Sequence, residues 1–355
     1  MTSRNTILIG DALTRLRELP DGCIDCVVTS PPYFLLRTYG DAKDQLGLEP
    51  NVETWVANLR AVMTEVRRVT TPGASVWLNL GDSYSRHPKY GAPTKGLLLA
   101  PERLLLALAA DGFIVRNKAI WSKTNPMPTS VTDRLTNTYD VVYHLVKQRL
   151  YHYDLDAIRI EHTTTQSRPA SPSSGKRPEW AGPLAGSNSG LHRPRPGGIP
   201  GSIRGRNPGD VWRLPTASYK GAHFATFPSG LVERPLLATC PLRVCTKCNV
   251  PWRHGPGKVF VLGKRMPAGR DKHVRRYPGR WQVLRQPGPI GPDCDCVAPG
   301  RPGLVLDPFF GTGTVGQVAE RHGRDWLGIE LNSAYADLAW QRLGRTALES
   351  KELAA

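Results

Sequence analysis

The chain has 355 residues, a length that suits one large α/β domain with insertions or two domains. Its net charge of +17 and its pI of about 9.8 favour a polyanionic partner, and nucleic acid is the first candidate. The sequence predicts neither a secretory signal nor a membrane span, and its seven cysteines are interpreted as thiols or metal ligands rather than as a disulfide framework.

The first predicted elements are a short strand over residues 7–9 and a helix over residues 12–19. Asp11 stands between them, where its carboxylate is expected to accept the first N–H groups of the helix. Cys23 and Cys26 lie at the start of the next strand, on different faces. We interpret them as small core side chains rather than as a metal pair.

The second strand leads into the most informative stretch of the chain. Residues 24–28 form a mostly apolar run, and Thr29-Ser30-Pro31-Pro32-Tyr33 follow it. The prolines end the strand at its carboxyl end, the edge of an open α/β sheet where ligands bind. The Ser30 hydroxyl and a prolyl carbonyl can accept the hydrogens of an exocyclic amino group while Tyr33 stacks on the ring. A base of duplex DNA reaches such a pocket only when it is flipped out. The alternative is a Pro-Pro turn without chemistry.

Strands and helices then alternate up to residue 146. The predicted elements are a helix over 52–69, a strand over 74–80 after a break at Pro72-Gly73, a helix over 101–110, and strands over 114–121 and 139–146. This alternation predicts a doubly wound α/β sheet.

Residues 161–209 differ in composition, because Pro, Gly, Ser and Arg dominate and no periodicity survives. We interpret them as a flexible basic insertion that either contacts phosphates in target recognition or serves as a linker. Order is expected to return at Asp210, and Phe227-Pro228 lead into a helix predicted over 229–238.

Two close pairs of cysteines follow, Cys245 with Cys248 and Cys294 with Cys296. Two such pairs joined by a long loop are typical of a zinc ribbon with four thiolate ligands. The loop between them is strongly basic from Lys264 to Arg280, as a DNA clamp would be. The alternative is a set of reduced surface cysteines without metal.

A glycine-rich loop lies near the end of the sequence, between a predicted strand and a predicted helix. A strand over 303–306 runs into the loop, a helix over 315–322 follows, and a second strand over 326–330 ends in Glu330. Glycines let the backbone approach a ligand closely, and the helix N-terminus favours a carboxylate. Glu330 is placed to hold ribose hydroxyls, as acids do in Rossmann-like units, or else caps a surface helix. The loop residues that are candidates for binding a cofactor are Asp307, Pro308, Phe309, Gly311, Thr312, Gly313 and Thr314.

Thr29-Ser30-Pro31-Pro32-Tyr33 resembles the catalytic motif of DNA amino-methyltransferases, and Asp307 to Thr314 resembles their S-adenosylmethionine-binding motif. The catalytic motif precedes the cofactor motif here, an order that resembles the circularly permuted β group of these enzymes. The resemblance implies a Rossmann-like methyltransferase sheet of seven mostly parallel strands with one antiparallel edge hairpin. It also implies direct methyl transfer from S-adenosylmethionine to a flipped-out base of double-stranded DNA.

The resemblance assigns roles to individual residues. Ser30, Pro31, Pro32 and Tyr33 form the catalytic set, Asp11 contacts the adenine of S-adenosylmethionine, and Phe227 and Pro228 line its methionine side. Ser30 resembles the cytosine-N4 version of the motif, because the adenine version more often has Asp or Asn there. Adenine-N6 methylation is the near alternative. RNA methylation and a catalytically idle DNA-binding protein are more distant ones.

The sequence therefore predicts six parts. These are a catalytic half (1–160), the basic insertion (161–209), a return segment lining the cofactor site (210–239), the zinc-ribbon-like insertion (240–300), the cofactor-binding half (301–345) and a tail (346–355). The expected partners are double-stranded DNA and a cognate restriction endonuclease, with no membrane. The expected location is the nucleoid in the cytoplasm of a prokaryote, with either a host or a viral origin.

Overall fold

The computed structural model describes residues 3–36, 45–161, 205–216, 227–255, 258–263, 281–286 and 288–345, with the backbone alone for 258–263 and 281–286. Most of the basic insertion and the stretch from Lys264 to Arg280 lie outside these residues. The chain forms two compact units. The first comprises Met1–Asp154, Gly209–Trp252 and Pro292–Ala355, and the second comprises Leu155–Pro208 and Arg253–Gly291. The division into six parts stays a prediction.

An eight-stranded sheet forms the centre of the first unit. Its strands are β1 (Thr6–Ile9), β2 (Ile24–Thr29), β3 (Thr70–Leu80), β4 (Ile114–Lys123), β5 (Tyr139–Val146), β6 (Val211–Leu214), β7 (Leu304–Asp307) and β8 (Asp325–Glu330). Their order across the sheet is β1-β8-β7-β2-β3-β5-β4-β6. All neighbouring strands are parallel except at β5, which is antiparallel to β3 and to β4. The prediction of a mostly parallel α/β sheet is confirmed.

The strand count differs from the expected seven, because β6 adds an eighth strand beyond β4. Ile120 pairs with Val211 and Lys123 with Leu214, and the indole N–H of Trp121 donates to the Leu214 carbonyl at 3.1 Å. The reversed strand β5 therefore lies inside the sheet. Its hairpin with β4 is covered by the segment that follows the basic insertion.

The connections reverse direction between β2 and β7. The chain leaves β2 toward β3 on one side and leaves β7 toward β8 on the other. Adjacent strands whose connections diverge in this way create a crevice at their carboxyl ends, and ligands of open α/β sheets bind there. The permuted chain order thus still produces one switch point, at the two strands that carry the predicted motifs.

Helices cover both faces of the sheet. One layer contains α1 (Ala12–Arg17), α2 (Val52–Val69) and α3 (Ala100–Ala110), and the other contains α4 (Ser229–Thr239), α5 (Thr314–Arg321) and α6 (Ser333–Arg342). Side chains alternate between the layers along each strand, so that Val27 packs with the first layer and Val28 with the second. β2 is buried along its whole length, which explains its nearly continuous apolar run.

The predicted element bounds differ from the observed ones by no more than two residues, with β3 as the exception. β3 begins at Thr70 rather than after the expected break at Pro72-Gly73. The register explains the difference, because Ile24 pairs with Thr70 while Cys26 pairs with Ser75. The proline and the glycine lie in this irregularity, where a ladder hydrogen bond from proline is not needed.

The second unit contains short antiparallel pairings. Arg253–His254 pairs with Ile290–Gly291, and Lys258–Gly263 pairs with Trp281–Gln286. Ile160 forms an antiparallel bridge with Arg206. In the described part of the chain, no helix combines the length and the apolar character needed to cross a bilayer.

Candidate active site

The predicted catalytic stretch begins at the carboxyl end of β2. Thr29 pairs with Leu78 of β3, and this register puts Asn79 beside Ser30. The Asn79 amide donates to the Ser30 hydroxyl at 3.2 Å and to the Tyr33 hydroxyl at 2.7 Å. The structure therefore brings Ser30 and Tyr33 together through an asparagine that the sequence analysis did not single out. A polar residue inside the otherwise apolar run of β3 was the signal that could have found it.

Tyr33 is held from several sides. The Ser30 hydroxyl donates to its hydroxyl at 3.4 Å, and the Tyr33 hydroxyl in turn donates to Oδ2 of Asp140 at 3.3 Å. A Cβ on Gly81 would lie 2.7 Å from the Tyr33 ring, so the ring packs directly against the glycine backbone. The tyrosine is thus oriented by both its hydroxyl and its ring.

Asp140 connects this group to a cation. Its Oδ1 accepts from the Lys123 ammonium at 2.7 Å, and its side chain is 9% exposed. Lys123 ends β4, and Asp140 lies near the start of the antiparallel β5, so both stand at the sheet edge where β2 ends. Sequence analysis missed this ion pair because it depends on the pairing of two strands.

The two prolines differ in their contacts. The indole N–H of the buried Trp55 donates to the Pro32 carbonyl at 3.0 Å. Pro31 is buried next to Ser30, and Pro32 is half-buried. The Pro32 carbonyl thus already accepts a hydrogen bond from α2.

The glycine-rich loop follows β7, next to β2. Gly311 and Gly313 have φ angles of +54° and +76°, which are in the left-handed region that favours glycine. The Gly311 N–H donates to Oε2 of Glu330 at 2.7 Å, and the Asn332 N–H donates to Oε1 at 2.9 Å. Burial raises the pKa of Glu330. The Leu331 N–H also bonds to this carboxylate, and since a carboxylate has about four acceptor positions, capacity for a ligand remains.

Asp307 is the most buried acid of the site, with no exposed surface. Its Oδ1 accepts from the Thr29 hydroxyl at 2.7 Å and from the Phe309 N–H at 3.0 Å. Its Oδ2 has no hydrogen-bond partner among the described residues. Burial raises the pKa of Asp307 to about 7, against the opposing effect of the Thr29 and Phe309 hydrogen bonds.

The remaining loop residues have distinct positions. Pro308, Thr312 and Thr314 are buried, while Phe309 is half-buried. The Arg342 guanidinium, on α6, donates to the hydroxyls of Thr312 at 3.2 Å and Thr314 at 2.9 Å. Sequence analysis did not identify this arginine, which adds positive charge at the N-terminus of α5.

Asp11 caps α1, as expected from its position. Its Oδ1 accepts from the N–H and the hydroxyl of Thr14, both at 2.9 Å. The neighbouring Gly10 N–H donates to the Glu330 carbonyl at 2.9 Å, so Asp11 follows directly on the strand that ends beside Glu330. Pro228 precedes α4, and Phe227 packs at the edge of the second helical layer. A role for Asp11, Phe227 or Pro228 toward a ligand stays a prediction.

These residues fit S-adenosylmethionine. Asp307 has a buried oxygen without a partner among the described residues, and Gly313, with a φ of +76°, lets the loop backbone turn sharply beside it. Glu330 has acceptor capacity for hydroxyls, and the N-terminus of α5 favours a carboxylate.

The four cysteines predicted to bind zinc also come together. The Sγ atoms of Cys245, Cys248, Cys294 and Cys296 all lie within 4.8 Å of one another. Cys26 is fully buried in the core, as expected, and Cys23 is half-buried against it.

Comparison with known proteins places this geometry in a family. The sequence model of the DNA methylase family with N6 and N4 specificities matches residues 24–243 and 300–341. The chain is 30% identical to the Type II methyltransferase M.Cfr9I of Citrobacter freundii, over 95% of this chain and 87% of the relative. It is 32% identical to the Type II methyltransferase M.XycI of Xanthomonas campestris pv. cyanopsidis, over 96% and 87%.

A solved structure has the same fold. The PvuII DNA methyltransferase, a cytosine-N4-specific enzyme, superposes with a TM-score of 0.57 at 17% identity, covering 100% of this chain and 91% of that one. Together with the permuted order of the two motifs, the family match settles the class of protein. The chain belongs to the β group of the Type II DNA amino-methyltransferases, a family whose methyl donor is S-adenosylmethionine.

Proposed function

We propose that the chain methylates the exocyclic N4 of cytosine at a specific site in double-stranded DNA, after the base has been flipped out of the helix. The observation that carries the proposal is the group formed by Ser30, Tyr33 and Asn79 at the carboxyl end of β2. It lies next to the glycine-rich loop, because β2 and β7 are neighbours in the sheet. A base held by this group and a donor held by that loop would meet at the switch point.

Ser30 and Pro31 are proposed to accept the two hydrogens of the cytosine amine. We assign the second hydrogen to the Pro31 carbonyl because the Pro32 carbonyl already accepts from Trp55. The amine lone pair is delocalised into the ring, and two hydrogen bonds to fixed acceptors localise it on nitrogen. Pro32 stiffens the turn, and Tyr33 stacks on the ring in the orientation set by Asn79 and Asp140.

When bound, S-adenosylmethionine supplies an electrophilic sulfonium methyl. The residues proposed to hold it are Asp11 at the adenine, Glu330 at the ribose, Phe227 and Pro228 at the methionine side, and the loop Asp307, Pro308, Phe309, Gly311, Thr312, Gly313 and Thr314. These residues would hold the donor and the amine in a fixed orientation, and such orientation can lower the reaction barrier by about 7–11 kcal/mol. The mechanism needs no covalent cysteine.

Ser30 supports cytosine over adenine, because the adenine version of the motif more often has an acid or an amide at this position. The same machinery would methylate adenine N6, and this is the second candidate. The net charge of +17 supports a DNA substrate in either case. We assign target recognition to the basic insertion, residues 161–209.

The two Type II relatives support a place in a restriction–modification system. A cognate endonuclease that cleaves the same site is the proposed partner, and the prokaryotic nucleoid is the proposed location. Mapping the methylated site and challenging methylated DNA with endonucleases of that specificity tests the pairing, since protection is expected.

Nucleoside mass spectrometry tests the reaction. Unmethylated DNA is incubated with the purified protein and S-adenosylmethionine, digested and compared with the same DNA incubated without the methyl donor. N4-methylcytosine is the expected product. N6-methyladenine would overturn the assignment of Ser30 while leaving the family unchanged. Donor binding without any methylated base in DNA of diverse sequence would contradict the DNA substrate.

A further inference from the structure

The four clustered cysteines lie close enough together to bind one metal ion. Their sulfurs lie within 4.8 Å of one another although the two pairs are far apart in the chain. A zinc ion with Zn–S bonds of about 2.3 Å needs sulfurs separated by about 3.8 Å, so closure requires only small side-chain rotations. All four residues belong to the first compact unit.

These cysteines differ from those of the core. Cys26 and Cys240 are fully buried among apolar side chains of the second helical layer. Cys245 is also buried but belongs to neither apolar cluster, whereas Cys248 is exposed and Cys294 and Cys296 are half-buried. Four thiols that converge outside the two apolar clusters, three of them at least partly exposed, are not explained by hydrophobic packing.

Backbone N–H groups near each pair of cysteines donate hydrogen bonds to a cysteine sulfur. The N–H groups of Lys247 and Cys248 donate to the Cys245 sulfur, and the Cys296 N–H donates to the Cys294 sulfur. Asn249 has a φ of +57°, and its N–H donates to the Cys245 carbonyl at 3.0 Å, which closes the first turn. N–H groups aimed at sulfur are hydrogen bonds that a metal-bound thiolate can accept.

The pairs meet because their flanking segments form a small sheet. Cys245 pairs with Gly300 and Val244 with Arg301 in an antiparallel register. The N–H and the hydroxyl of Thr246 both donate to the Pro299 carbonyl, at 3.1 and 3.0 Å. A Cβ on Gly300 would lie 2.7 Å from the Trp252 ring. The two segments that carry the cysteines are therefore held together by backbone pairing and hydrogen bonds close to the sulfurs.

We propose that Cys245, Cys248, Cys294 and Cys296 bind one structural Zn²⁺. Soft thiolates in tetrahedral arrangement select zinc, and four protein ligands leave no open position for catalysis. The ion joins the two points at which the chain leaves the first unit, after Trp252, and re-enters it, at Pro292. This inference does not depend on the proposed methylation of cytosine.

The ion is also connected to the cofactor side of the sheet. Arg301, which pairs with Val244, forms an ion pair with the buried Asp25 of β2. Asp25 also accepts a hydrogen bond of 2.8 Å from the N–H of Leu304, which is the first residue of β7. Zinc thus supports the start of the strand that ends in Asp307.

Metal analysis of the full chain tests the site. Protein purified without chelator is expected to contain about one zinc per chain by elemental mass spectrometry, and Cys248→Ser is expected to retain less than about a tenth of it. Cys23→Ser is the matched control, because Cys23 lies outside the cluster, and it should keep its zinc. Hydrogen exchange of the Val244–Cys245 and Gly300–Arg301 amides should rise in Cys248→Ser and stay unchanged in the control.

A second measurement does not depend on the folding of a variant. Reaction of the wild-type protein with a mercurial should modify the four thiols and release the zinc. A chromogenic chelator measures the released zinc. Co²⁺ exchanged into the site should show the intense absorption of thiolate-to-cobalt charge transfer, and Cys248→His should restore metal binding. Protein free of metal after purification and after incubation with zinc, stoichiometric iron in place of zinc, or equal loss in Cys23→Ser would overturn the proposal.

Discussion

The Thr29 hydroxyl donates a hydrogen bond of 2.7 Å to Oδ1 of Asp307, and so joins the ends of two neighbouring strands whose residues are 278 positions apart in the chain. Thr29 precedes Ser30, the serine proposed to bind the base, and Asp307 begins the glycine-rich loop. The bond therefore connects the proposed base-binding stretch directly to the proposed donor-binding loop. Both side chains are almost completely buried, so neither can exchange its partner for water.

Thr29→Val is expected to destabilise the fold by about 1–3 kcal/mol, because it removes one of the two hydrogen bonds that the buried Oδ1 of Asp307 accepts. Thr29→Ser keeps the hydroxyl and is the matched control, with a smaller loss. Urea-induced unfolding of the three proteins measures the difference. Equal stability of the valine variant and the wild type would mean that this bond does not stabilise the junction.

The stability of the ligand-free protein should depend on the pH through Asp307. Burial raises its pKa from 3.8 to about 7, so between these values the folded state holds a proton that the unfolded state has lost. The contribution is complete below the unfolded pKa and is lost as the pH rises toward 7, by about 1.4 kcal/mol per pH unit.

Asp307→Asn removes this titration. The free energy of unfolding of the wild type, relative to that of Asp307→Asn, should fall between pH 5 and pH 7 and then level off, with unfolding measured in urea at each pH. A difference that stays constant over this range would show that Asp307 titrates normally.

Ser30→Ala is expected to lower the single-turnover rate of methylation by about 100-fold or more, since it removes a fixed hydrogen-bond partner of the reacting amine. The affinity for S-adenosylmethionine, measured by calorimetry, should stay unchanged. Asp307→Ala is the comparison variant, and it should weaken the affinity for S-adenosylmethionine. Parallel loss of rate and of donor affinity in Ser30→Ala would remove the role assigned to Ser30.

Gly81→Ala tests the orientation of Tyr33. The added methyl would lie 2.7 Å from the tyrosine ring and 2.9 Å from Oδ1 of Asp140, so the ring has to move. A misplaced ring should lower the single-turnover rate by about 100-fold with unchanged donor affinity. Gly73→Ala is the control, because its nearest contacts are ordinary ones at 3.9 and 4.0 Å. Full activity of Gly81→Ala would show that the ring position is not critical.

Much of the fold followed from local patterns. The bounds of α2 agree with the prediction because its apolar residues recur at helical spacing, and in the structure Asn51 caps its first turn. β2 was recognisable because both of its faces are buried, which requires an apolar run. The predicted start of β3 was wrong because a Pro-Gly pair can mark either the end of a strand or an irregularity within one.

The sequence by itself determined the chemistry-bearing motifs, since Ser30 to Tyr33 and Asp307 to Thr314 are continuous stretches, and it determined the spacing of the four cysteines. Only the tertiary structure decided which distant residues complete them. Asn79 and Asp140 reach Tyr33 across 46 and 107 positions, and the cysteine pairs meet through the pairing of Cys245 with Gly300. The physical reason is that the pairing of strands far apart in the chain sets which side chains come within hydrogen-bonding or ligating distance, and this pairing forms only in the folded sheet.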